Sequence, residues 1–254
     1  MTEHVVTEIA DGVATVRFNR PDKKNAIHSG MYAEAASAIA AAADDTNVRV
    51  LVLTGTGDAF TAGNDLKDFL ENPPKEHDAP VFRFMHALAN FPKPVIAGVN
   101  GVAVGIGTTV LLHCDFVYAV PAAKFQLPFV NLALVPEFAS SLLLARFLGP
   151  RRAAELLMLG EAFDAKAAEG FGLVNAVVPA DQLDATVQAK AKALAAKPPA
   201  ALRATKALLN ADHAEVAARI ALEAKEFGAR LKSDELKEAI AAFFEKRQPD
   251  FSRF

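Results

Sequence analysis

Apolar residues in the first two thirds of the chain fall into two alternating patterns. Short runs rich in Val, Ile, Leu and Phe have the length and composition of strands, and alanine-rich stretches between them are typical of helices. The predicted strands cover residues 13–18, 48–54, a segment that begins at Lys93, and 115–120. The predicted helices cover residues 31–43 and 107–114, and a further helix is predicted to open at Pro136. Strands that alternate with helices need crossover connections, so the pattern predicts an α/β fold with a mainly parallel sheet over residues 1–180.

From residue 181 onward the pattern is almost entirely helical. Four helices are predicted, at residues 181–196, 198–209, 213–231 and 233–246. Four short helices without strands make a poor core by themselves. We therefore expect residues 181–254 to form a helical region that packs on the first half or on another subunit. The proline-rich segment 72–80 is the one predicted mobile loop.

Composition and charge argue against several classes of protein. The net charge is -3, which gives no general attraction for nucleic acid or for an anionic membrane. The longest apolar run, residues 102–112, is too short to span a bilayer. Cys114 is the only cysteine, so an internal disulfide is impossible, and the histidines form no His-Glu-x-x-His pair, so no metal is implied. The first residues lack the basic and apolar run of a secretory signal, and we expect a cytoplasmic protein.

Two glycine-containing segments follow predicted strands. They are residues 60–69, Phe-Thr-Ala-Gly-Asn-Asp-Leu-Lys-Asp-Phe, and residues 100–109, Asn-Gly-Val-Ala-Val-Gly-Ile-Gly-Thr-Thr. A helix is predicted after the second, and the first amides of a helix are unpaired, so they can hold an anion or a developing oxyanion. Either segment alone is also typical of an ordinary strand-to-helix turn. Gly105 and Gly107 lack the third glycine of a dinucleotide fingerprint, because Val110 stands in its place.

Several segments, in order and spacing, resemble a known family. They are residues 19–26 (Asn-Arg-Pro-Asp-Lys-Lys-Asn-Ala), 62–66 (Ala-Gly-Asn-Asp-Leu), 93–107, 114–119, 124–125, 170–175 and 197–206. Together they resemble the crotonase superfamily of enoyl-CoA hydratases and isomerases along nearly the whole chain. The resemblance implies a ClpP-like ββα spiral core over residues 1–180 and a helical region, 181–254, that serves assembly and covers CoA. It also implies an acyl-CoA substrate, a homotrimer or homohexamer, and no cofactor other than the coenzyme A of the substrate.

The resemblance assigns a carbonyl site to the two glycine turns. It implies that the main-chain amides of Asn64 and Ile106 hold the thioester oxygen, with Ile106 standing where many relatives have glycine. Removing a proton alpha to a thioester produces an enolate, and one such donor is typically worth about 3–4 kcal/mol in the transition state. The positions implied to bind the substrate are Lys24, Ala26, Ala62, Gly63, Asp65, Leu66, Gly105, Phe129, Phe243 and Lys246. The residue type of Asp65 also favours side-chain hydrogen bonds that tighten its own loop.

The sequence departs from hydratases of this family at the positions of the acid–base groups. Hydratases use two glutamates, and the corresponding positions here are Thr109 and Phe129, neither of which can act as a carboxylate base. Glu137, in the segment Pro-Glu-Phe-Ala-Ser-Ser, resembles the catalytic glutamate of peroxisomal-type Δ3,Δ2-enoyl-CoA isomerases. An isomerase needs one base, which removes a C2 proton and returns it at C4. We therefore expect Glu137 to be catalytic in the conversion of 3-enoyl-CoA to 2-enoyl-CoA, as in fatty-acid metabolism.

Four alternatives stay open at this stage. A hydratase or related lyase needs a second acid or base, and a hydrolase or dehalogenase would use Glu137 as a nucleophile. A catalytically silent acyl-CoA-binding oligomer would retain the turns while Glu137 points away. In the simplest alternative, Glu137 is a solvated carboxylate that complements the start of the helix opening at Pro136. Apolar neighbours favour the neutral acid and a helix start favours the anion, so the sequence leaves the direction of the pKa shift of Glu137 open.

Overall fold

The computed structural model describes residues 3–74, 79–210 and 212–254, so part of the predicted loop 72–80 lies outside the described residues. The strands it describes are β1 (Val5–Ala10), β2 (Val13–Phe18), β3 (Val50–Gly55), β4 (Ala59–Thr61), β5 (Val95–Val99), β6 (Val102–Val104), β7 (Phe116–Ala119), β8 (Lys124–Gln126), β9 (Phe163–Asp164) and β10 (Ala176–Val177). One sheet has the order β1-β2-β3-β5-β7-β10, and the other has the order β4-β6-β8-β9.

Parallel pairing dominates both sheets and confirms the predicted α/β class. In the larger sheet β2, β3, β5, β7 and β10 pair in parallel and β1 runs antiparallel to β2. In the smaller sheet β4, β6 and β8 pair in parallel and β9 runs antiparallel to β8. Asp11 and Gly12 make the turn between β1 and β2, both with positive φ, as a two-residue hairpin turn requires. Every residue of β3 is buried, which explains its continuous apolar run.

Helices fill the connections between strands and most of the chain after β10. Those described are α1 (Ser29–Asp44), α2 (Leu66–Glu71), α3 (Pro80–Ala89), α4 (Ile106–Thr109), α5 (Ser140–Leu148), α6 (Pro150–Ala154), α7 (Ala165–Phe171), α8 (Leu183–Ala195), α9 (Pro199–Leu209), α10 (His213–Arg230) and α11 (Asp234–Glu245). Short 3₁₀ turns lie at Pro21–Lys23, Val110–His113, Val130–Leu132 and Ala180–Gln182, and a π-helical turn lies at Glu155–Leu159. Four helices after residue 181 were predicted, and α8 to α11 confirm them.

The prediction that a helix begins at Pro136 is wrong. Helix α5 begins only at Ser140, because Phe138 and Ala139 both have positive φ and interrupt the chain before it. Two contacts from distant parts of the chain hold this left-handed turn, and both belong to the site described below. Glu137 therefore lies in an irregular segment and not in the first turn of a helix.

The helices after β10 pack back onto the rest of the chain. Helix α8 covers β3, β5 and β7, and the Val187 side chain comes within 3.2 Å of the position that a Cβ on Gly98 would take. Helix α10 reaches α2, where the Phe227 and Phe69 rings meet edge to face with centroids 5.8 Å apart. Across the described part of the chain, no helix combines the length and the apolar character needed to cross a membrane.

Candidate active site

The first glycine turn connects β4 to α2 and lies against the second turn. Gly63 has a φ of +88°, and a Cβ there would stand 2.6 Å from the carbonyl oxygen of Val104, so the turn needs glycine. The Ile27 amide donates to the Gly63 carbonyl at 2.8 Å, and the Ile27 carbonyl accepts from the Asp65 amide at 2.9 Å. The Asn64 amide, between them in the chain, makes no hydrogen bond to the described residues. It is therefore available to an oxygen of a bound ligand.

The second glycine turn runs from β6 into α4. Gly105 has a φ of +56° and a ψ of -117°, a region that residues with a Cβ avoid. A Cβ on Gly107 would stand 2.8 Å from the carbonyl oxygen of Thr61, which places α4 directly against the end of β4. Ile106 is the first residue of α4, and its amide also makes no hydrogen bond within the described chain. A second unpaired amide thus follows the second turn.

The two turns lie side by side because the strands before them pair. Strands β4 and β6 are parallel neighbours, with Thr61 opposite Ala103, so both chains leave the sheet at the same edge. Ile106 is 1% exposed and belongs to the buried apolar core. That the Asn64 and Ile106 amides converge on one thioester oxygen stays a prediction.

A third turn, around Lys24, is fastened to the first glycine turn. The Ala62 amide donates to the Lys24 carbonyl at 2.9 Å. Arg20 Nη1 lies 2.6 Å from Asp65 Oδ2 and also donates to the Ala26 carbonyl at 3.1 Å. The other oxygen of Asp65 accepts from two amides at the start of α2. The expected role of Asp65 in tightening its own loop is therefore confirmed.

The structure brings most of the predicted substrate-binding positions into this one region. They are Lys24, Ala26, Ala62, Gly63, Asp65, Leu66 and Gly105. Lys24 is exposed, and its Nζ lies 2.6 Å from Asp58 Oδ2. An exposed ion pair of this kind contributes little to stability, so Lys24 can exchange its partner for an anionic group of a ligand at small cost.

Glu137 is buried, with 7% of its surface exposed, and the two residues after it hold a left-handed turn. Phe138 has a φ of +59° and Ala139 a φ of +57°. The His113 ring stacks on Phe138 at 3.8 Å, and His113 Nε2 donates to the Phe138 carbonyl at 2.8 Å. Glu137 Oε1 is enclosed and has no hydrogen-bond partner among the described residues. The alternative in which Glu137 is a solvated carboxylate at a helix start is therefore wrong.

The surroundings of Glu137 shift its titration strongly. Burial raises the pKa of Glu137 from 4.5 to about 8, and the charge of the neighbouring Glu223 acts in the same direction. The pKa of Glu137, whose direction of shift the sequence left open, is thus raised. A carboxyl group with this pKa holds its proton at neutral pH and is a strong base once it has lost it, as acid–base catalysis requires.

A narrow cavity of ≈ 410 Å³, its open mouth included, reaches Glu137. Its wall comes mainly from α3 and α10 and is apolar, with Val81, Ile220 and Phe227 among its residues. Of the described residues in this wall, Glu137 is the only one that titrates. An apolar wall of this kind is typical of ligand cavities and keeps water away from the carboxyl group.

A second cleft joins the first glycine turn to this cavity. Tyr32 and Asn64 line the cleft, which shares Phe69 and Val81 with the cavity. Tyr32 Oη donates to Asn64 Oδ1 at 2.5 Å. Burial raises the pKa of Tyr32 well above 10, and the charge of Glu137 adds to this rise. Tyr32 therefore stays protonated and stands close to both the carbonyl site and the candidate base.

Other predicted positions do not reach this cavity. Phe129 is buried in the core, and Thr109 is fully buried in α4, but neither lines the cavity. Phe243 and Lys246 lie at the end of α11, which packs against the 3₁₀ turn Val130–Leu132, and Phe243 is largely exposed. Within one chain, the structure does not bring Phe129, Phe243 and Lys246 together with Glu137.

Two polar residues near the site were missed by sequence reasoning. Tyr32 is buried on the apolar face of α1. Glu223 is buried on α10 at 6% exposure, in line with the buried Ile220 and Phe227. A polar residue on the apolar stripe of a helix was the available signal, since such a residue needs a reason to be buried.

Comparisons with known proteins agree with this geometry. The sequence profile of the enoyl-CoA hydratase/isomerase family matches residues 8–253. The human protein named enoyl-CoA delta isomerase 2 is 38% identical over 253 residues, which are 96% of this chain and 64% of the human protein. This chain thus spans less than two thirds of that relative.

Two further matches cover both chains almost completely. Crotonyl-CoA hydratase of Syntrophomonas wolfei is 35% identical over 258 residues, which are 98% of each protein. The crystal structure of an enoyl-CoA hydratase/isomerase from Pseudoalteromonas atlantica superposes with a TM-score of 0.95 at 39% identity, over 98% of this chain and all of that one. The chain has the crotonase fold and belongs to the enoyl-CoA hydratase/isomerase family.

Proposed function

We propose that the protein isomerises 3-enoyl-CoA esters to 2-enoyl-CoA esters, with Glu137 as the acid–base group. The observation that carries this proposal is the cavity wall, in which Glu137 is the only titratable side chain among the described residues. Moving a double bond from C3 to C2 needs one base, whereas hydration also needs a group that activates water. At the two positions where hydratases of this family carry glutamates, this chain has Thr109 and Phe129.

In the proposed reaction Glu137 acts twice. The ionised carboxylate takes a proton from C2, and the electrons of that bond move onto the thioester oxygen to give a dienolate. The Asn64 and Ile106 amides donate to this oxygen, each worth about 3–4 kcal/mol in a typical oxyanion site. Protonated Glu137 then delivers the proton to C4, which forms the conjugated ester and restores the carboxylate.

The surroundings of Glu137 suit both halves of this reaction. A pKa of about 8 lets the same group accept and donate a proton near neutral pH. The apolar wall limits exchange of that proton with water, so it can be returned to the same substrate. Tyr32, which donates to the Asn64 side chain, adds a fixed polar contact between the base and the carbonyl site.

Hydration of 2-enoyl-CoA is the second candidate function. It is favoured by Glu223, a second buried carboxyl group whose charge acts on Glu137. Crotonyl-CoA hydratase among the relatives is a further reason to test it. Glu223 is absent from the described cavity wall, however, so it is poorly placed to activate water beside a bound acyl chain.

Matched substrates separate these functions. With 3-enoyl-CoA and 2-enoyl-CoA of the same chain length, we expect isomerisation to exceed hydration in kcat/KM by at least about tenfold, equivalent to about 1.4 kcal/mol. Hydration that is equal or faster would contradict the proposal. Release of free CoA would indicate a hydrolase, and tight binding without turnover would indicate a silent acyl-CoA-binding protein.

We also propose that the chain assembles as a homotrimer or homohexamer. Four large apolar side chains support this, because they are exposed on the single chain: Met158, Leu159, Leu208 and Leu209. Exposed apolar side chains of this size are typical of association surfaces when they form a patch. Sedimentation equilibrium should give three or six times the mass of one chain, and the mass of a monomer would contradict the proposal.

A further inference from the structure

Glu223 is a buried charged residue for which the proposed reaction has no use. Its Oε1 accepts from the Ser141 amide at 2.9 Å and from Ser141 Oγ at 2.5 Å. These donors lie at the start of α5, whose N-cap residue, Ala139, has no polar side chain to bind them. Glu223 therefore replaces the missing N-cap side chain of α5 from a distant helix.

The segment that Glu223 holds is the one that carries Glu137. Phe138 and Ala139, between Glu137 and α5, are both left-handed, a conformation that is unfavourable for residues with a Cβ. Such a turn persists only where surrounding contacts fix it. His113 binds the Phe138 carbonyl within the turn, and Glu223 binds Ser141 directly after it. The direction of the Glu137 side chain thus depends on Glu223.

The two carboxyl groups also interact through their charge. Glu137 Oε1 and Glu223 Oε2 are both enclosed without a hydrogen-bond partner in the described chain. Neighbouring buried carboxyl groups do not readily ionise together. Burial raises the pKa of Glu223, but the hydrogen bonds from Ser141 and the charge of Arg219 limit this rise. Glu223 therefore ionises first, and Glu137 keeps its proton.

Two other titratable groups near Glu137 stay neutral at physiological pH, and a third is charged. Tyr32, on α1, has its pKa raised well above 10 by burial. Burial also lowers the pKa of His113, in the 3₁₀ turn after α4, to about 4. On α10, Arg219 is positively charged, and its Nη1 donates to the same Ser141 hydroxyl that donates to Glu223, at 3.2 Å. Of these described groups, Glu223 and Arg219 are thus the ones that carry charge beside Glu137.

We propose that Glu223 is a positioning residue for Glu137: it anchors the left-handed turn that aims Glu137 into the cavity, and its negative charge keeps the transferred proton on Glu137. The proposal rests on the proposed isomerase function of Glu137. Glu223 does not line the cavity among the described residues, so it acts through Glu137 and not on the substrate. The contribution of α10 to the site is therefore electrostatic as well as apolar.

Glu223→Gln tests this directly, with Glu226→Gln as the matched control. Gln keeps the length of the side chain and an oxygen for Ser141 but removes the charge, and Glu226 is an exposed glutamate on the same helix. The pH profile of kcat/KM gives the apparent pKa of Glu137 in the free enzyme. We expect Glu223→Gln to lower this value by about one unit, as loss of a neighbouring like charge does. The control should leave the value unchanged.

Two further measurements keep the test independent of folding and of turnover. Arg219→Gln leaves both carboxyl groups but removes the cation, so it should raise the apparent pKa, opposite to Glu223→Gln. Infrared titration, compared with Glu137→Gln protein, follows the Glu137 proton without substrate. Unchanged titration in both variants would overturn the proposal and leave Glu223 a helix cap. If the variants shift the infrared titration of Glu137 but the protein shows no isomerase activity, the proposed function is rejected and the proposed interaction between Glu137 and Glu223 is retained.

Discussion

Replacing Glu137 with Gln should change the stability of the protein in a strongly pH-dependent way. The pKa of Glu137 rises from 4.5 in the unfolded chain to about 8 in the folded protein. Below the unfolded value both states hold the proton, and no stability difference arises. As the pH rises, the unfolded chain loses its proton first, so the free energy of unfolding of the wild-type protein falls until the pH passes about 8.

The size of this effect follows from the two pKa values. Each tenfold difference in proton affinity is worth about 1.4 kcal/mol, so the full cost of burying this carboxyl group approaches about 5 kcal/mol. Between pH 5 and pH 9, the wild-type protein should lose about 4 kcal/mol relative to Glu137→Gln. The buried Gln amide has its own cost, but that cost does not titrate and cancels when the difference is compared across pH.

Chemical denaturation followed by far-ultraviolet circular dichroism is a suitable assay, because the chain has no tryptophan. Protein concentration is held fixed, since assembly makes apparent stability depend on it. Glu226→Gln provides the control, because this glutamate is exposed on α10 and its removal should give a difference that stays flat with pH. If the difference in free energy of unfolding between wild type and Glu137→Gln varies as little with pH as that of the control, Glu137 titrates like an ordinary carboxyl group and the reasoning is refuted.

Three further outcomes follow from the site. The acid limb of kcat/KM against pH should lie near pH 8, since Glu137 must be ionised to accept a proton; a limb near 4.5 would contradict this. Tyr32→Phe removes the hydroxyl that binds Asn64, so steady-state kinetics should show a loss of about fivefold in kcat, equivalent to about 1 kcal/mol; an unchanged kcat would remove Tyr32 from the site. Gly63→Ala should lower the free energy of unfolding by about 1–3 kcal/mol in denaturation, because its Cβ would meet a carbonyl oxygen at 2.6 Å. Gly170→Ala, with nothing within 4 Å of its Cβ, should be neutral or stabilising, and equal effects of the two variants would contradict the geometry.

The sheet and the glycine turns were predictable because local sequence determines them. The apolar run 48–54 becomes β3 between two parallel neighbours, where both faces are covered. Gly63 and Gly105 both take positive φ, which is what a glycine after a strand indicates, and Gly63 does so at a close contact with the chain at Val104. The positions of Asn64 and Ile106 beside each other follow from the pairing of β4 with β6.

The surroundings of Glu137 were not predictable, since they depend on residues far away in the chain. Pro136 is a valid local signal for a helix start, but His113 and Glu223 hold the next residues in a left-handed turn. The burial of Glu137 comes from α3 and α10, which pack over it only in the folded chain. Periodicity places Glu223 on the buried face of α10, but it cannot show which carboxyl group that face will meet.

The central claim, that Glu137 is the acid–base group of an isomerase, is tested most directly by the turnover of 3-enoyl-CoA in Glu137→Gln. Gln keeps the shape and polarity of the side chain but cannot accept the C2 proton. We expect kcat to fall by about 100-fold or more, as loss of a general base typically causes. Affinity for the CoA ester should change little, because the turns around Asn64 and Lys24 are untouched. Turnover near the wild-type value in a folded, ester-binding variant would place the base elsewhere and contradict the account.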